Sequence, residues 1–158
     1  MSWSLRVVSE ELYMLFLLFY VGRERYVCDS QYIVEVVPNV KLKELPHTPP
    51  YVAGLLNSGG SPIPIIDFCQ LIENRPSQAC MHTRIIVLSD QVEGKQHSMG
   101  IIAEKVTETI DRELSDFVDP GVLIEELPFL GKVLNDYGGM IRMVQVPKLF
   151  ESMESVLF

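Results

Sequence analysis

Positive charge is scarce in this sequence. Lysine and arginine together number 13, against 21 aspartates and glutamates, and nowhere do they run together as a basic stripe. A surface with a formal net charge of -8 repels phosphate backbones and anionic lipid headgroups, so binding to nucleic acid or to a membrane surface is not expected. Cysteine is also rare. Cys28, Cys69 and Cys80 are an odd number with no CxxC pair, which argues against a disulfide framework and fits a reducing cytosol. No apolar run is long enough to span a bilayer. The one candidate, Leu12 to Val21, has ten residues, where a spanning helix needs roughly 20. It follows Glu10 and Glu11 without a basic leader or a small-residue cleavage site, so it does not read as a signal peptide.

The residues of catalysis are equally thin. Of the three histidines, His47 lies in a proline-bound stretch that reads as rigid and extended, and His82 and His97 lie in polar loops. No two have metal-ligand spacing, and no HExxH or Cys/His set occurs. Gly59-Gly60 lacks the lysine and the long following helix of a phosphate cradle, so it reads as a tight turn. Ser58 sits in no G-x-S-x-G elbow. Asp67 ends an apolar strand, as a phospho-accepting aspartate does in receiver domains. Those domains also need an acidic pair after the first strand and βα alternation, and here Glu10 and Glu11 precede the strand. Asp67 therefore reads as a helix cap. The expectation is a protein with no catalytic, cofactor-binding or metal-binding residues.

What the sequence does hold is short strands. Leu12 to Val21 is apolar on both faces, as a strand covered on both sides should be. Gly22 to Glu24 turns the chain into Arg25 to Cys28. Ile33 to Val37 is β-branched around one glutamate and stops at Pro38. Val40 to Leu45 alternates and reads as a half-exposed strand. Ile63 to Ile66 contains Pro64, which cannot donate to a ladder and predicts an edge or a barrel corner. A short helical turn follows Asp67, then a polar linker from Glu73 to Thr83. Further strands are expected at Arg84 to Leu88, Gly100 to Ala103, Val106 to Ile110, Phe129 to Leu134 and Met140 to Val146. Ser89 to His97 and Asp111 to Leu127 read as loops, and a last helix opens at Pro147. Short, evenly spaced strands with little helix make an all-β pattern of barrel type.

The two halves echo each other. Ile33 to Val37 resembles Val106 to Ile110, each with a central glutamate. Gly59-Gly60, an apolar strand and Gln70-Leu71-Ile72 resemble Gly138-Gly139, an apolar strand and Lys148-Leu149-Phe150. Each half has about the length of one small barrel, and a barrel that small has a thin core, so the two should pack together.

Taken in order, these residues resemble the CheW-like domain family. The strongest match is Gly54-Leu55-Leu56-Asn57-Ser58-Gly59-Gly60, followed by Ile63-Pro64-Ile65-Ile66-Asp67. The family has a glycine, two apolar residues and Asn-Leu-Arg-Gly, then an apolar strand with Pro-x-x-Asp. Ile33 to Val37 and the prolines Pro46, Pro49 and Pro50 fit upstream; Gly100-Ile101-Ile102 and Gly131 to Phe150 fit downstream. The resemblance implies one domain over 12–150: two SH3-like β-barrel subdomains, at about 12–72 and 84–146, with a C-terminal helix at 147–156. It implies a cytoplasmic, non-enzymatic adaptor without cofactors, recruited to membrane receptor arrays without entering the membrane. Such an adaptor bridges the regulatory domain of a CheA-type histidine kinase to the cytoplasmic tips of methyl-accepting chemoreceptors in chemotaxis or related motility. The receptor lies in a groove near the Asn-Leu-Arg-Gly segment, and the kinase meets an apolar end of the first barrel. Carried over to this chain, the binding residues are Glu35, Val37, Gly54, Asn57, Ser58, Gly59 and Gly60. One departure stands out: Ser58 and Gly59 replace the leucine and arginine. Loss of a long cation removes charge-assisted contacts and raises a second reading, a divergent module of this family that binds the kinase but not receptors.

Overall fold

The computed structural model describes residues 13–122 and 124–158; Glu10, Glu11 and Leu12 lie outside them. The chain forms β1 (Tyr13–Val21), β2 (Glu24–Asp29), β3 (Ile33–Pro38), β4 (Val52–Ser58), β5 (Ser61–Asp67), α1 (Phe68–Glu73), β6 (Arg84–Val92), β7 (Lys95–Ala103), β8 (Lys105–Glu113), β9 (Leu130–Asp136), β10 (Gly139–Val144) and α2 (Val146–Leu157). The strands make two five-stranded sheets, ordered β8-β1-β2-β10-β9 and β3-β6-β7-β5-β4.

The two sheets share one plan. A hairpin, β1–β2 or β6–β7, forms the centre. Its first strand takes an antiparallel partner with a central glutamate, β8 or β3. Its second strand takes a parallel partner, β10 or β5, which pairs back with β9 or β4. The echoes in the sequence therefore fall on equivalent strands. The division of the chain at 12–72 and 84–146 does not follow the sheets, however. The first sheet joins β1 and β2 to β8, β9 and β10, while β3 to β7 make the second. The parallel pairing of β2 with β10 (Arg25 opposite Ile141) is non-local, and nothing in local periodicity marks it.

Side chains alternate across each strand, and both faces are used. On β1, Phe16 and Leu18 enter a core inside the first sheet, with Val27, Phe117 and Ile141. Leu17, Phe19 and Val21 enter a larger cluster shared by both sheets. On β6, Ile85 and Val87 line the inner core of the second sheet with Ile63 and Ile65, and Ile86, Leu88 and Val92 join the shared cluster. Each sheet thus curls round a small core of its own, and the two pack as a pair of small barrels. Phe68 on α1 holds them together: its ring lies 5.7 Å from Phe19 and Tyr26 of the first sheet and 5.9 Å from Phe129.

Several local expectations change. Val40 to Leu45 is not a strand; Lys43 alone bridges to Leu55. Val52–Ser58, where no strand was expected, is β4. Pro64 is not at an edge, because β5 lies between β4 and β7. Its missing N–H leaves no gap, since the ladder to β7 begins at Ile65. Ser89 to His97 is not a loop but the extended end of the β6–β7 hairpin, closed at Glu93 and Gly94, both with positive φ. Likewise β8 continues to Glu113. His47 is not extended but left-handed, with φ 59°. Asp67 does cap α1, its Oδ1 accepting from Gln70 N at 3.2 Å, while its Oδ2 accepts from Ser77 N and Oγ.

The sheets are also joined by Glu104, which is buried between β7 and β8. Its carboxylate accepts from Gly22 N in the β1–β2 turn, from Gln78 N at 2.6 Å and from the Arg75 guanidinium at 3.3 Å. Burial opposes its ionisation, but the Arg75 pair and the two backbone donors outweigh burial and hold the carboxyl below its ordinary range.

Two measurements check this architecture. Phe68→Ala should lower stability by about 3 to 5 kcal/mol in urea unfolding; a loss under about 1 kcal/mol would show that the sheets do not depend on this ring. Because the Glu104 carboxyl has a depressed pKa when folded, its contribution is complete above the ordinary glutamate range and is lost as pH falls, from about pH 5 downward. Glu104→Gln should therefore be less stable at neutral pH and show a shallower loss on acidification than the parent chain.

Candidate protein-binding site

The expected binding residues fall on two strands of the second sheet. Glu35 and Val37 are on β3, one edge of that sheet, and Gly54 and Asn57 to Gly60 are on β4 and its turn, at the other edge. Curling brings the two edges over one core, with Val37, Ala53 and Leu56 all packed against it. Among the described residues no side-chain hydrogen bond joins Glu35 to the β4–β5 turn, so the structure gives two neighbouring elements of a surface rather than one bonded cluster.

The turn is set by its glycines. Ser58 pairs with Ser61, so Gly59 and Gly60 form a two-residue hairpin loop with φ of 58° and 86°. Positive φ at both positions is the type I′ geometry that suits strand twist. Nothing lies within 4 Å of a Cβ placed at either residue, so a side chain there would stand free in solvent. Gly54 is constrained differently. With φ 145°, a Cβ would collide with the carbonyl oxygen of Lys43. That carbonyl accepts from Leu55 N at 2.8 Å, and Lys43 N donates to Leu55 O at 3.0 Å. The Lys43 bridge thus covers part of the outer edge of β4, and Gly54 makes room for it.

Exposed Val34 and Val36 escaped the sequence reading. They flank Glu35 at 60% and 40% exposure, although β-branched residues are more often turned inward. A register shift between Ile33 and Glu35 leaves all three in solvent. Comparison with the echo in the sequence would have found them: the equivalent positions on β8 are Thr107 and Thr109, which are exposed and polar. The same edge strand is thus built once with threonine and once with valine.

The remaining chemistry is sparse. The three cysteines are unpaired, and burial pushes the Cys28 thiol up to about 12. Among the described residues no group of histidine, cysteine, aspartate and glutamate is arranged to hold a metal ion, and no helix is long and apolar enough to cross a membrane.

The fold is a pair of packed small β-barrels, one edge strand of which carries exposed valines round a glutamate. The CheW-like domain matches residues 15–154, and the chain belongs to that family. It is 26% identical over 139 residues to the chemotaxis protein CheW of Rhizobium meliloti (strain 1021), covering 86% of each chain. It is 28% identical over 114 residues to the chemotaxis protein CheW of Helicobacter pylori (strain ATCC 700392 / 26695), covering 71% of this chain and 64% of that one. The crystal structure of the scaffolding protein TtCheW from Thermoanaerobacter tengcongensis has the same fold, with a TM-score of 0.72 and 23% identity over 83% of each chain.

The glycines give a graded test of the site's geometry. Gly59→Ala should cost about 1 kcal/mol, the penalty of a left-handed conformation in open space. Gly54→Ala should cost about 3 kcal/mol or more, because backbone strain and a collision with Lys43 add. Chemical denaturation of both variants measures this; equal losses would mean that the Lys43 bridge does not form.

Proposed function

We propose that this chain is a non-catalytic coupling adaptor of chemotaxis or related motility signalling, holding a CheA-type histidine kinase to the cytoplasmic tip of a methyl-accepting receptor. The observation that carries the reading is membership of the CheW-like family across both sheets, together with likeness over most of the chain to chemotaxis proteins CheW. The surface assigned to partner binding is the open edge at β3, where Glu35 stands between Val34 and Val36, continued by Val37 and the Asn57–Gly60 turn. Gly54, buried against Lys43, supports this surface from beneath and does not face a partner. Exposed valines supply apolar area and Glu35 supplies a charge to be matched, the combination that gives an interface both contact and register. At the turn, Gly59 presents no cation, so this chain engages receptors more weakly there than a relative with arginine in its place. A module that binds the kinase but not receptors would share every feature except receptor affinity, and the relatives' names favour the adaptor.

A paired titration tests the assignment, with a kinase regulatory domain and a receptor cytoplasmic hairpin each measured against the parent chain and its variants. Glu35→Lys should weaken binding to the receptor hairpin by about 1 to 3 kcal/mol, and Gly59→Arg should strengthen it by a similar amount, the scale of a charge-assisted hydrogen bond. Kinase binding should change little in Gly59→Arg. Melting temperatures run alongside separate binding from the strain at Gly59. A parent chain that binds the kinase domain and shows no receptor binding would favour the kinase-only module. Unchanged receptor affinity in both variants would remove these residues from the site.

A further inference from the structure

Cations are few in this acidic chain, yet three of them line one open groove: Lys132 on β9, Arg142 on β10 and Lys148 in the first turn of α2. Arg25, Arg75 and Arg112 all sit in ion pairs with carboxylates. Among the described residues, Lys132, Arg142 and Lys148 have none; neither do Arg23, Arg84 and the other lysines, but these three share one groove. Asp119 also lines the groove, but its carboxylate accepts from Gly121 N at 2.8 Å and forms no ion pair with them. Arg142 Nε donates to the Gly131 carbonyl at 3.2 Å. That bond holds the guanidinium, and among the described residues its two terminal nitrogens have no hydrogen-bond partner, which leaves a two-pronged donor for a ligand. Three like charges gathered without a counter-charge repel one another, and an anion in the groove would offset that.

The walls say what kind of anion. Pro120, Val122 and Pro128 line the groove beside the cations, Val122 is 68% exposed, and Val118 on the same loop is 56% exposed. A bare inorganic anion gains nothing from such a rim, and cations spread over three elements of an open groove do not converge on one point. The volume, about 200 Å³, admits a few side chains rather than a helix or a domain. We propose that this groove binds an extended acidic segment of a partner protein, with its carboxylates on Lys132, Arg142 and Lys148 and its apolar residues against the proline and valine rim. The groove lies on the first sheet and α2, whereas the coupling surface lies on the second sheet, so this is an additional contact and does not rest on the adaptor reading.

The test is a fluorescence anisotropy titration of the full chain with a short labelled peptide of glutamate, proline and valine, and with the same peptide carrying glutamine for glutamate. The glutamate peptide should bind saturably and weaken with salt, and the glutamine peptide should bind about tenfold more weakly or worse. Arg142→Gln should lose about tenfold, a triple variant with Lys132→Gln and Lys148→Gln should lose binding, and Lys95→Gln, an exposed lysine on β7 outside the groove, should bind the peptide as the parent does. Melting temperatures check folding; if the triple variant does not fold, Lys132→Gln and Lys148→Gln singly, both exposed, carry the comparison. Three outcomes would overturn the proposal: no saturable binding at low ionic strength, equal binding by parent and variants, or displacement of the peptide by inorganic phosphate at equal concentration. Self-association of the parent in sedimentation velocity, abolished in the triple variant, would assign the groove to a second copy of the chain and overturn the partner assignment.

Discussion

Neither sheet has enough buried surface to stand alone. Among the described residues, the cores inside the two curled sheets hold six and five buried residues, and the cluster they share holds 21. Small β-domains are limited in this way because surface grows relative to volume as size falls, and here the remedy is to bury both faces of the central strands. Phe19, Tyr26, Phe68 and Phe129 make the centre of the joint, and Glu104 ties its margin by drawing the β1–β2 turn and the 75–78 linker onto one carboxylate. The edge strands and turns that face solvent inherit their positions from that joint.

Features written in contiguous residues were legible in the sequence. The doubly apolar β1, the glutamate-centred β3 and β8, the Asp67 cap and the Gly59-Gly60 turn all announce themselves within a few residues, and their repetition in order revealed two like units. What stayed hidden depends on partners far along the chain. Polar residues from Ser89 to His97 are strand because the hairpin ladder bonds backbone to backbone whatever the side chains. Pro64 is tolerated inside a sheet because its neighbour on β7 starts one residue later. The assignment of β1 and β2 to the same sheet as β10 rests on a parallel pairing across most of the chain. For the site, the turn was readable from its glycines, but the exposure of Val34 and Val36 arises from a register shift that sequence does not display.

A duplicated plan lets one half act as a control for the other. β3 and β8 occupy equivalent edges, and both carry a central exposed glutamate, so the glutamate alone does not distinguish them. Threonines on β8 satisfy the ordinary rule that an exposed edge should be polar. Valines at the matching places on β3 break that rule, and local violations of this kind are expected where a surface is meant to be covered. The groove on the first sheet shows the same logic in charge: three cations without carboxylate partners gathered in one place on an acidic protein.

The order in which the strands leave the ribosome has a further consequence. β3 to β7 are one unbroken stretch, so the second sheet can complete its strand pairing once Ala103 has emerged, though it gains the shared cluster only when the first sheet packs on it. The first sheet cannot. Its β1 is made before its other described strands, and β2 covers one edge at once, but the other edge waits for β8, and the sheet is closed only when β9 and β10 follow. Through that interval Phe16 to Phe19, buried on both faces in the finished protein, is an apolar strand with an open edge, the form of segment that most readily joins another nascent chain. Within this sheet the strand most in need of cover is made before the strands that cover it.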